Sequence, residues 1–270
     1  MEQAVANTAM KATEAVAATA TPLTVRVIAV GGKFLGDDVA GALVGIRDVQ
    51  TGELLASGRT LGGSGPSAIM NKALLRTQPI PTADPGDPAN DAARFDATLM
   101  LDRPRWVEVS AIGPLVAPTP ARVVKTIWLY PGKSLSPEDG QREDGLLLEI
   151  PGLLVGILAP PAHYLPDATQ PIVIRANVTM MCGCPIDTGG FWPPSDFEVT
   201  AHIRYSAQSM TMPLSFVLEN EIGAPSQFAS KSWTPGGSGI FNIDVVAYQK
   251  STGNLGVART SVIMPAAKAK

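Results

Sequence analysis

The chain has 270 residues, of which 45% are hydrophobic, 17% charged and 6% aromatic, and this composition excludes disorder over most of its length. A formal net charge of −3, with no contiguous basic stripe, argues against nucleic-acid binding. The apolar runs are far shorter than the roughly 20 residues that a membrane-spanning helix needs, so we expect no membrane span. The 26 Gly and 24 Pro separate many short apolar runs, a pattern that favours an all-β fold.

The N-terminal segment 1–22 is rich in Ala and Thr, and its high helix propensity predicts a helix. This helix offers only a thin apolar face to bury, so we expect a short helical arm before the folded part. It lacks the basic and Leu-rich regions of a secretory signal. The compartment stays open: we expect the cytoplasm if Met1 is the native start, and an extracytoplasmic location if a signal peptide has been removed. At the other end, residues 266–270 are predicted to be a tail.

Residues 23–130 predict the first of two tandem antiparallel β-sandwiches. Apolar side chains occupy every second position from Leu23 to Ala29, which is the two-residue repeat of a half-buried strand. Residues 77–93 are dense in Pro, Gly and Asp and predict a long exposed loop within this module. Strands are predicted at 23–29, 42–49, 54–59, 95–101, 106–111 and 123–130.

A second β-sandwich is predicted over residues 151–265, after a linker at 131–150 that is again rich in Pro, Gly and charged residues. Apolar and polar side chains alternate in several segments separated by turn residues, and this spacing is typical of a sandwich. Strands are predicted at 172–180, 197–205, 210–218, 241–247 and 255–264.

Two stretches resemble known β-sandwich modules. AGALVGIRDVQTGELLASGRT (40–60) resembles the transthyretin-like, or carboxypeptidase-regulatory-like, module. GIFNIDVVAYQKSTGNLGVARTSV (239–262) resembles the last hairpin of a bacterial immunoglobulin-like domain. These resemblances imply adhesion, scaffolding or carriage beside an enzyme, and they bring no catalytic residue with them.

The segment 179–185 carries the chain's two cysteines, Cys182 and Cys184, with Met181 beside them. Thiol and thioether sulfurs are the ligands that a soft ion such as copper prefers, and zinc also takes thiolates, so these three residues are candidate metal ligands. Two alternatives stay open: a redox pair that closes a Cys-Gly-Cys disulfide, and a structural pair of buried thiols. The further candidate ligands are His163, His202, Met210 and Met212. His163 is predicted in a loop. Met210 and Met212 fall on the apolar face of their strand and His202 on the polar face of its strand, so these three cannot all face one ion in a regular sheet.

Enzymatic activity is not the preferred interpretation. Hydrolytic catalysis usually needs a histidine base beside a nucleophile, and the chain has two histidines. His163 is predicted in an irregular loop and His202 on the exposed face of a strand, and neither lies near a recognisable nucleophile motif. A hydrolase stays open only if His163 meets a Ser or Asp side chain in space.

The preferred prediction is a non-catalytic interaction or scaffold protein that needs no cofactor and binds another protein, or a larger assembly, through loops and sheet edges. Aromatic side chains on loops of a rigid β scaffold often form recognition surfaces. Phe191, Trp192 and Trp233 are therefore candidate partner-binding residues. The alternative is a soft-metal carrier or thiol redox protein that uses Cys182 and Cys184.

Overall fold

The computed structural model describes residues 17–71, 80–135, 145–167, 170–218 and 225–265. The predicted helical arm lies outside the described residues as far as residue 16, and so does the predicted tail 266–270. The first strand begins at Thr19, so residues 19–22 of the predicted arm are strand instead. Short 3-10 turns are the only helical elements in the described ranges, and no helix there has the length and apolar character needed to cross a bilayer.

The described residues form fourteen strands, and the predicted all-β class is confirmed. The strands are β1 (Thr19–Ala29), β2 (Leu43–Asp48), β3 (Leu54–Arg59), β4 (Phe95–Leu101), β5 (Arg105–Gly113), β6 (Ala121–Leu129), β7 (Leu146–Ile150), β8 (Leu153–Ala159), β9 (Arg175–Met180), β10 (Phe197–Tyr205), β11 (Gln208–Phe216), β12 (Gln227–Ser230), β13 (Gly239–Gln249) and β14 (Leu255–Met264).

Strands β1 to β7 form two sheets, which we call the N-terminal sheets: a three-stranded sheet of order β4-β1-β7 and a four-stranded sheet of order β3-β2-β5-β6. β1 pairs antiparallel with β4 and parallel with β7. The end of the predicted linker 131–150 is therefore corrected, because Leu146–Ile150 is strand β7. A run of five residues that begins with three consecutive leucines gives little two-residue periodicity to detect.

β1 is buried on both faces, although alternation predicted a half-buried strand. Thr24, Arg26 and Ile28, on the face opposite Leu23 and Val25, are all buried. The described parts of the loop between β3 and β4 cover this second face, and residues 77–79 of the predicted exposed loop lie outside the described residues. A small core there contains Ile28, Phe34, Ile69, Ile80 and Ala92, so the predicted exposed loop 77–93 in fact contributes buried residues at Ile80, Ala92 and Ala93.

Strands β8 to β14 form one seven-stranded sheet, the C-terminal sheet, of order β14-β13-β10-β11-β12-β9-β8. Its two end strands meet, since a Cβ added at Gly256 of β14 would lie 2.4 Å from the carbonyl oxygen of Leu153 in β8. The sheet therefore curls back on itself, an arrangement consistent with a β-sandwich. Alternating residues of the central strands point into its core, for example Ala201, Ile203, Ile243 and Val245.

The end of β2 carries a buried carboxylate whose ionisation supports the fold. Asp48 accepts hydrogen bonds from Arg105 Nη1 and from the backbone N–H groups of Gln50 and Thr51, each at 2.9 Å. The Arg105 hydrogen bond, followed by the Thr51 N–H, lowers the pKa of Asp48 from 3.8 to about 2. A carboxyl whose pKa is lower in the folded state contributes stability that is fully present above its unfolded pKa and is lost as the pH falls.

We therefore expect the unfolding midpoint in denaturant to fall as the pH drops from 3.8 towards about 2, and Asp48→Asn to remove part of this dependence while lowering stability at neutral pH. Urea titrations over this range measure both effects. Glu149→Gln, at an exposed position of β7, is the control, and we expect its unfolding midpoint to depend on pH as in the wild type. If the unfolding midpoint of Asp48→Asn depends on pH as strongly as that of the wild type, the ionisation of Asp48 does not stabilise the fold.

Candidate functional site

Cys182 and Cys184 form a disulfide, with their Cα atoms 5.3 Å apart. They lie in a turn that follows β9, in which Gly183 donates to the carbonyl of Met180 at 2.8 Å. Gly183 has a φ of 77°, a left-handed conformation that glycine adopts at low cost. The sulfurs converge because this glycine bends the chain. In the disulfide state neither sulfur is a thiolate, so the predicted binding of copper or zinc would need the reduced form.

The disulfide lies where the N-terminal sheets contact the C-terminal sheet, a region that we call the joint. The buried Sγ of Cys182 is 3.5 Å from the backbone N of Lys33, in the β1–β2 loop. Val39 of the same loop approaches so closely that a Cβ added at Gly183 would lie 2.7 Å from its Cγ1 atom. Cys184 is partly exposed. The Cys-Gly-Cys turn is thus packed between the two groups of sheets, with one sulfur nearer the surface.

Trp192 belongs to the same joint. Its side chain is buried, and its Nε1 donates to the carbonyl of Gly31 at 2.8 Å. Asn254 forms a parallel link, donating from Nδ2 to the carbonyl of Val30 at 2.8 Å. Trp192 therefore binds another part of this chain, while its neighbour Phe191 stays exposed and packs edge-on against it at 5.9 Å.

Trp233, the third aromatic candidate, lies at the other end of the C-terminal sheet. Its ring packs 5.5 Å from that of Phe241, near the start of β13. The other end of β13 lies at the joint, because Gln249 donates its backbone N–H to the carbonyl of Asn254. Eight residues of strand span about 26 Å. The structure therefore does not bring Trp233 together with Phe191 and Trp192 on one surface.

The other candidate metal ligands are also dispersed. The sulfur of Met181 lies 3.6 Å from the position of a Cβ at Gly152, in the β7–β8 turn. Met210 and His202 are exposed on neighbouring strands, and His202 is hydrogen-bonded to Thr200. In the ranges that the structure describes, no three His, Cys, Asp or Glu side chains are grouped as metal ligands.

His163 does meet a serine in space. Its Nδ1 is 3.0 Å from the hydroxyl of Ser261, which also accepts the backbone N–H of His163 at 3.3 Å. The next residue, Tyr164, continues the contact, because it donates to the carbonyl of Ser261 and accepts from Ile263. We interpret the His163–Ser261 pair as structural, because its hydrogen bonds and the adjacent backbone hydrogen bonds together attach this loop to β14.

The most exposed aromatic cluster was not among the predicted sites. Trp106 of β5 and Trp128 of β6 are directly opposite each other, with ring centroids 6.2 Å apart and planes inclined by 21°. They are 39% and 65% exposed. The sequence contains one indication that Trp106 is exposed. Trp106 and Glu108 alternate with Val107 along β5, so both point to the outer face of the sheet, and Val107 points inward and is buried.

Other large apolar side chains extend this pair across the outer face of the four-stranded sheet. Val49 donates its backbone N–H to the carbonyl of Trp106, Leu54 lies at the start of β3, and Tyr130 follows β6. All are exposed. We call the set the aromatic band: Val49, Leu54, Trp106, Trp128 and Tyr130. Contiguous exposed apolar surface of a few hundred Å² often marks an interaction site.

Polar side chains lie in register beside the aromatic band. Glu108 is opposite Thr126 of β6 on one side and Arg47 of β2 on the other, and it accepts a hydrogen bond from Arg122 at 3.2 Å. β6 is one edge strand of this sheet, and β3 is the other. Lys125 of β6 alternates in phase with the half-buried Val123, so it falls on the inward face of the strand, but it is exposed. An inward-pointing lysine on an edge strand opposes pairing with a further strand.

No family model and no curated protein matches this sequence. Among solved structures, the chain is similar to the fibronectin(III)-like modules of Clostridium thermocellum CbhA, at 10% identity over 93% of this chain and 97% of that chain, with a TM-score of 0.27. It is also similar to a chimeric titin Z1Z2-Z1Z2 tandem, at 8% identity over 93% of each chain, with a TM-score of 0.24. Scores this low carry no functional argument, so the fold rests on the strand order described above.

Proposed function

We propose that this protein is a non-catalytic interaction protein that binds its partner through the aromatic band. The observation that carries the proposal is the exposed Trp106–Trp128 pair. Tryptophan usually buries most of its area, and tryptophans dominate the binding energy of interfaces when a partner covers them. Both rings stand on hydrogen-bonded strands, so the surface is held in place before binding, which lowers the entropy cost of association.

The architecture supports the same proposal. We infer that β1 to β7 form a transthyretin-like module, as the stretch 40–60 suggests, and its support is the order β4-β1-β7 and β3-β2-β5-β6 with a parallel β1–β7 pair. We infer that β8 to β14 form an immunoglobulin-like module, supported by seven antiparallel strands whose two end strands contact each other. Both families imply adhesion or scaffolding.

A photo-crosslinking experiment tests the proposed function. A benzoylphenylalanine placed at position 128 in cells of the source organism is expected to give a discrete adduct, and the same group at the exposed Tyr248 of β13 to give none. The purified partner should then bind Trp128→Ala at least tenfold more weakly than the wild type, as for a central interface tryptophan. Equal adducts at the two positions, or unchanged affinity of Trp128→Ala, would refute the proposal.

A second candidate function is reversible thiol–disulfide exchange, favoured by the bond between Cys182 and Cys184. This disulfide closes a loop too short to constrain the unfolded chain much, so a structural role explains little of its presence. Two external thiols would reduce it to two cysteine thiols and be oxidised to one disulfide. The reduced pair could then carry copper or zinc.

Thiol titration and elemental analysis on protein purified without reducing agent test this second candidate. Exchange predicts no free thiol at first, two after treatment with a glutathione redox buffer, and reversal on oxidation. A metal carrier predicts about one equivalent of copper or zinc in the reduced protein and none in Cys182→Ser/Cys184→Ser. Thiols that appear only after unfolding in denaturant would refute both.

A further inference from the structure

We propose that the segment 1–16 of this same chain folds back onto the aromatic band and covers it until a partner displaces it. The regulatory meaning of this contact rests on the proposed function, because it takes the band to be the partner's binding surface. Three observations carry the inference: the place where the described chain begins, the reach of the segment that precedes it, and the pattern of apolar residues within that segment.

The described chain begins at the end of the N-terminal sheets that holds the two tryptophans. Thr19, the first residue of β1, pairs with Leu101, the last residue of β4, and a turn of three residues joins β4 to β5. Trp106 is the second residue of β5. A Cβ added at Gly132 would lie 3.2 Å from Cγ2 of Thr19, and Gly132 is two residues beyond Tyr130 of the band. The segment that precedes β1 therefore starts beside the band.

The segment is long enough to lie across both tryptophans. Gly132 is four residues beyond Trp128, which is at most about 14 Å along an extended chain. As a helix, residues 1–16 would be about 24 Å long, which exceeds this distance. Ala17 and Ala18 are exposed and precede β1, so the chain can turn there towards the outer face of the four-stranded sheet.

The segment carries an apolar stripe that suits this surface. The sequence predicts a helix here, and residues separated by four, three and four positions share one face of a helix. This spacing is that of Val5, Ala9, Ala12 and Val16. The small alanine side chains let a helix approach the two broad indole rings closely, and the valines bury apolar area against them. A short helix with so thin an apolar face is marginal by itself, so it gains stability from a surface that covers the stripe.

The covalent connection favours this segment over a separate molecule as the occupant of the band. Since the segment is joined to β1 through Ala17 and Ala18, its effective concentration at the band is on the order of millimolar. A weak apolar contact is then enough to cover the band. Lys125 opposes strand addition at β6, so a helix suits this face better than an extended strand. A partner that binds Trp106 and Trp128 tightly still displaces a cover of this strength.

Photo-crosslinking within the purified full chain tests the inference. Benzoylphenylalanine at position 130 leaves both tryptophans in place, and the protein is irradiated with no other protein present. We expect peptide mass spectrometry to find the adduct within residues 1–16 of the same molecule, in equal yield at low and high protein concentration. Val5→Ser/Val16→Ser should lower this yield at least about threefold, because apolar area is lost from the stripe. Met10→Ser, off the stripe, is the matched control and should leave the yield unchanged.

Three results would overturn the inference. The first is the absence of an adduct with residues 1–16, or an equal adduct from the same group at position 248 on the C-terminal sheet. The second is a yield that Val5→Ser/Val16→Ser leaves unchanged. The third is an adduct that forms only between two molecules and increases with concentration, because the segment would then act between copies. Circular dichroism establishes that each variant is folded.

Partner binding separates the failure of this inference from the failure of the proposed function. The partner captured at position 128 should bind Val5→Ser/Val16→Ser at least about threefold more tightly than the wild type, because the segment no longer competes. Equal affinities would overturn the regulatory role. If no adduct with residues 1–16 forms but partner binding depends on Trp128, only this inference fails. If the adduct forms but position 128 captures no partner, the segment covers the band and the interaction function fails.

Discussion

Gly256→Ala is expected to lower the free energy of unfolding by about 3 kcal/mol, because it inserts a methyl group into the seam that closes the C-terminal sheet. The added Cβ would lie 2.4 Å from the carbonyl oxygen of Leu153 and 2.8 Å from Cγ2 of Val155. The first of these is a backbone atom, so relief requires β8 to move away from β14. Equilibrium unfolding in urea, followed by circular dichroism, measures the loss.

Gly156→Ala provides a matched control on β8 itself. A Cβ at Gly156 has nothing within 4 Å, so we expect little change, or a slight gain in stability from the lower entropy of the unfolded chain. If the two glycine variants are equally stable, β8 and β14 do not pack as closely as described, and the closed arrangement of the sheet is refuted.

Arg26→Met is expected to destabilise the N-terminal sheets by about 3 kcal/mol, because hydrogen bonds from a buried charged donor are lost. Arg26 is buried in the second face of β1 and donates through Nη1 to the carbonyls of Ala92 and Ala93. Its guanidinium also lies 6.0 Å from the centroid of the Phe34 ring. Methionine keeps much of the side-chain volume, so the loss reports on the guanidinium. Urea unfolding measures it.

Hydrogen exchange gives a more local measurement of the same change. Amides of residues 80–93 should exchange faster in Arg26→Met, since the arginine holds the covering loop on β1. Arg259→Met is the control, because Arg259 forms an exposed ion pair with Asp244, and such pairs contribute about 0 to 1 kcal/mol. Equal losses in both variants would show that the buried arginine does not anchor this loop.

The joint changes how variants at the predicted sites should be interpreted. Cys182 and Trp192 both contact the β1–β2 loop, so substitutions there alter the packing between the two groups of sheets. A loss of partner binding in such a variant would not by itself locate the partner. Trp128 has no such ambiguity, because it is 65% exposed and lies away from the joint on the outer face of its sheet.

The sequence by itself determined where many strands lie. The predicted strands 95–101, 197–205 and 255–264 coincide with β4, β10 and β14. The reason is local: alternating apolar residues bounded by turn residues specify an extended segment with one buried face. The same alternation placed Val107 inward and His202 outward, as the structure has them. Short strands such as β7 and β12 carry too few alternations to be recognised.

Only the tertiary structure decided which segments meet. Alternation cannot show that a Pro-rich loop covers the second face of β1, that β7 pairs in parallel with β1, or that the Cys-Gly-Cys turn lies against the β1–β2 loop. It also cannot show that Trp106 and Trp128, 22 positions apart in the sequence, form one pair. Each of these contacts joins residues distant in the chain, and its free energy depends on the neighbours that folding supplies, whereas the sequence pattern reports only on the strand that contains it.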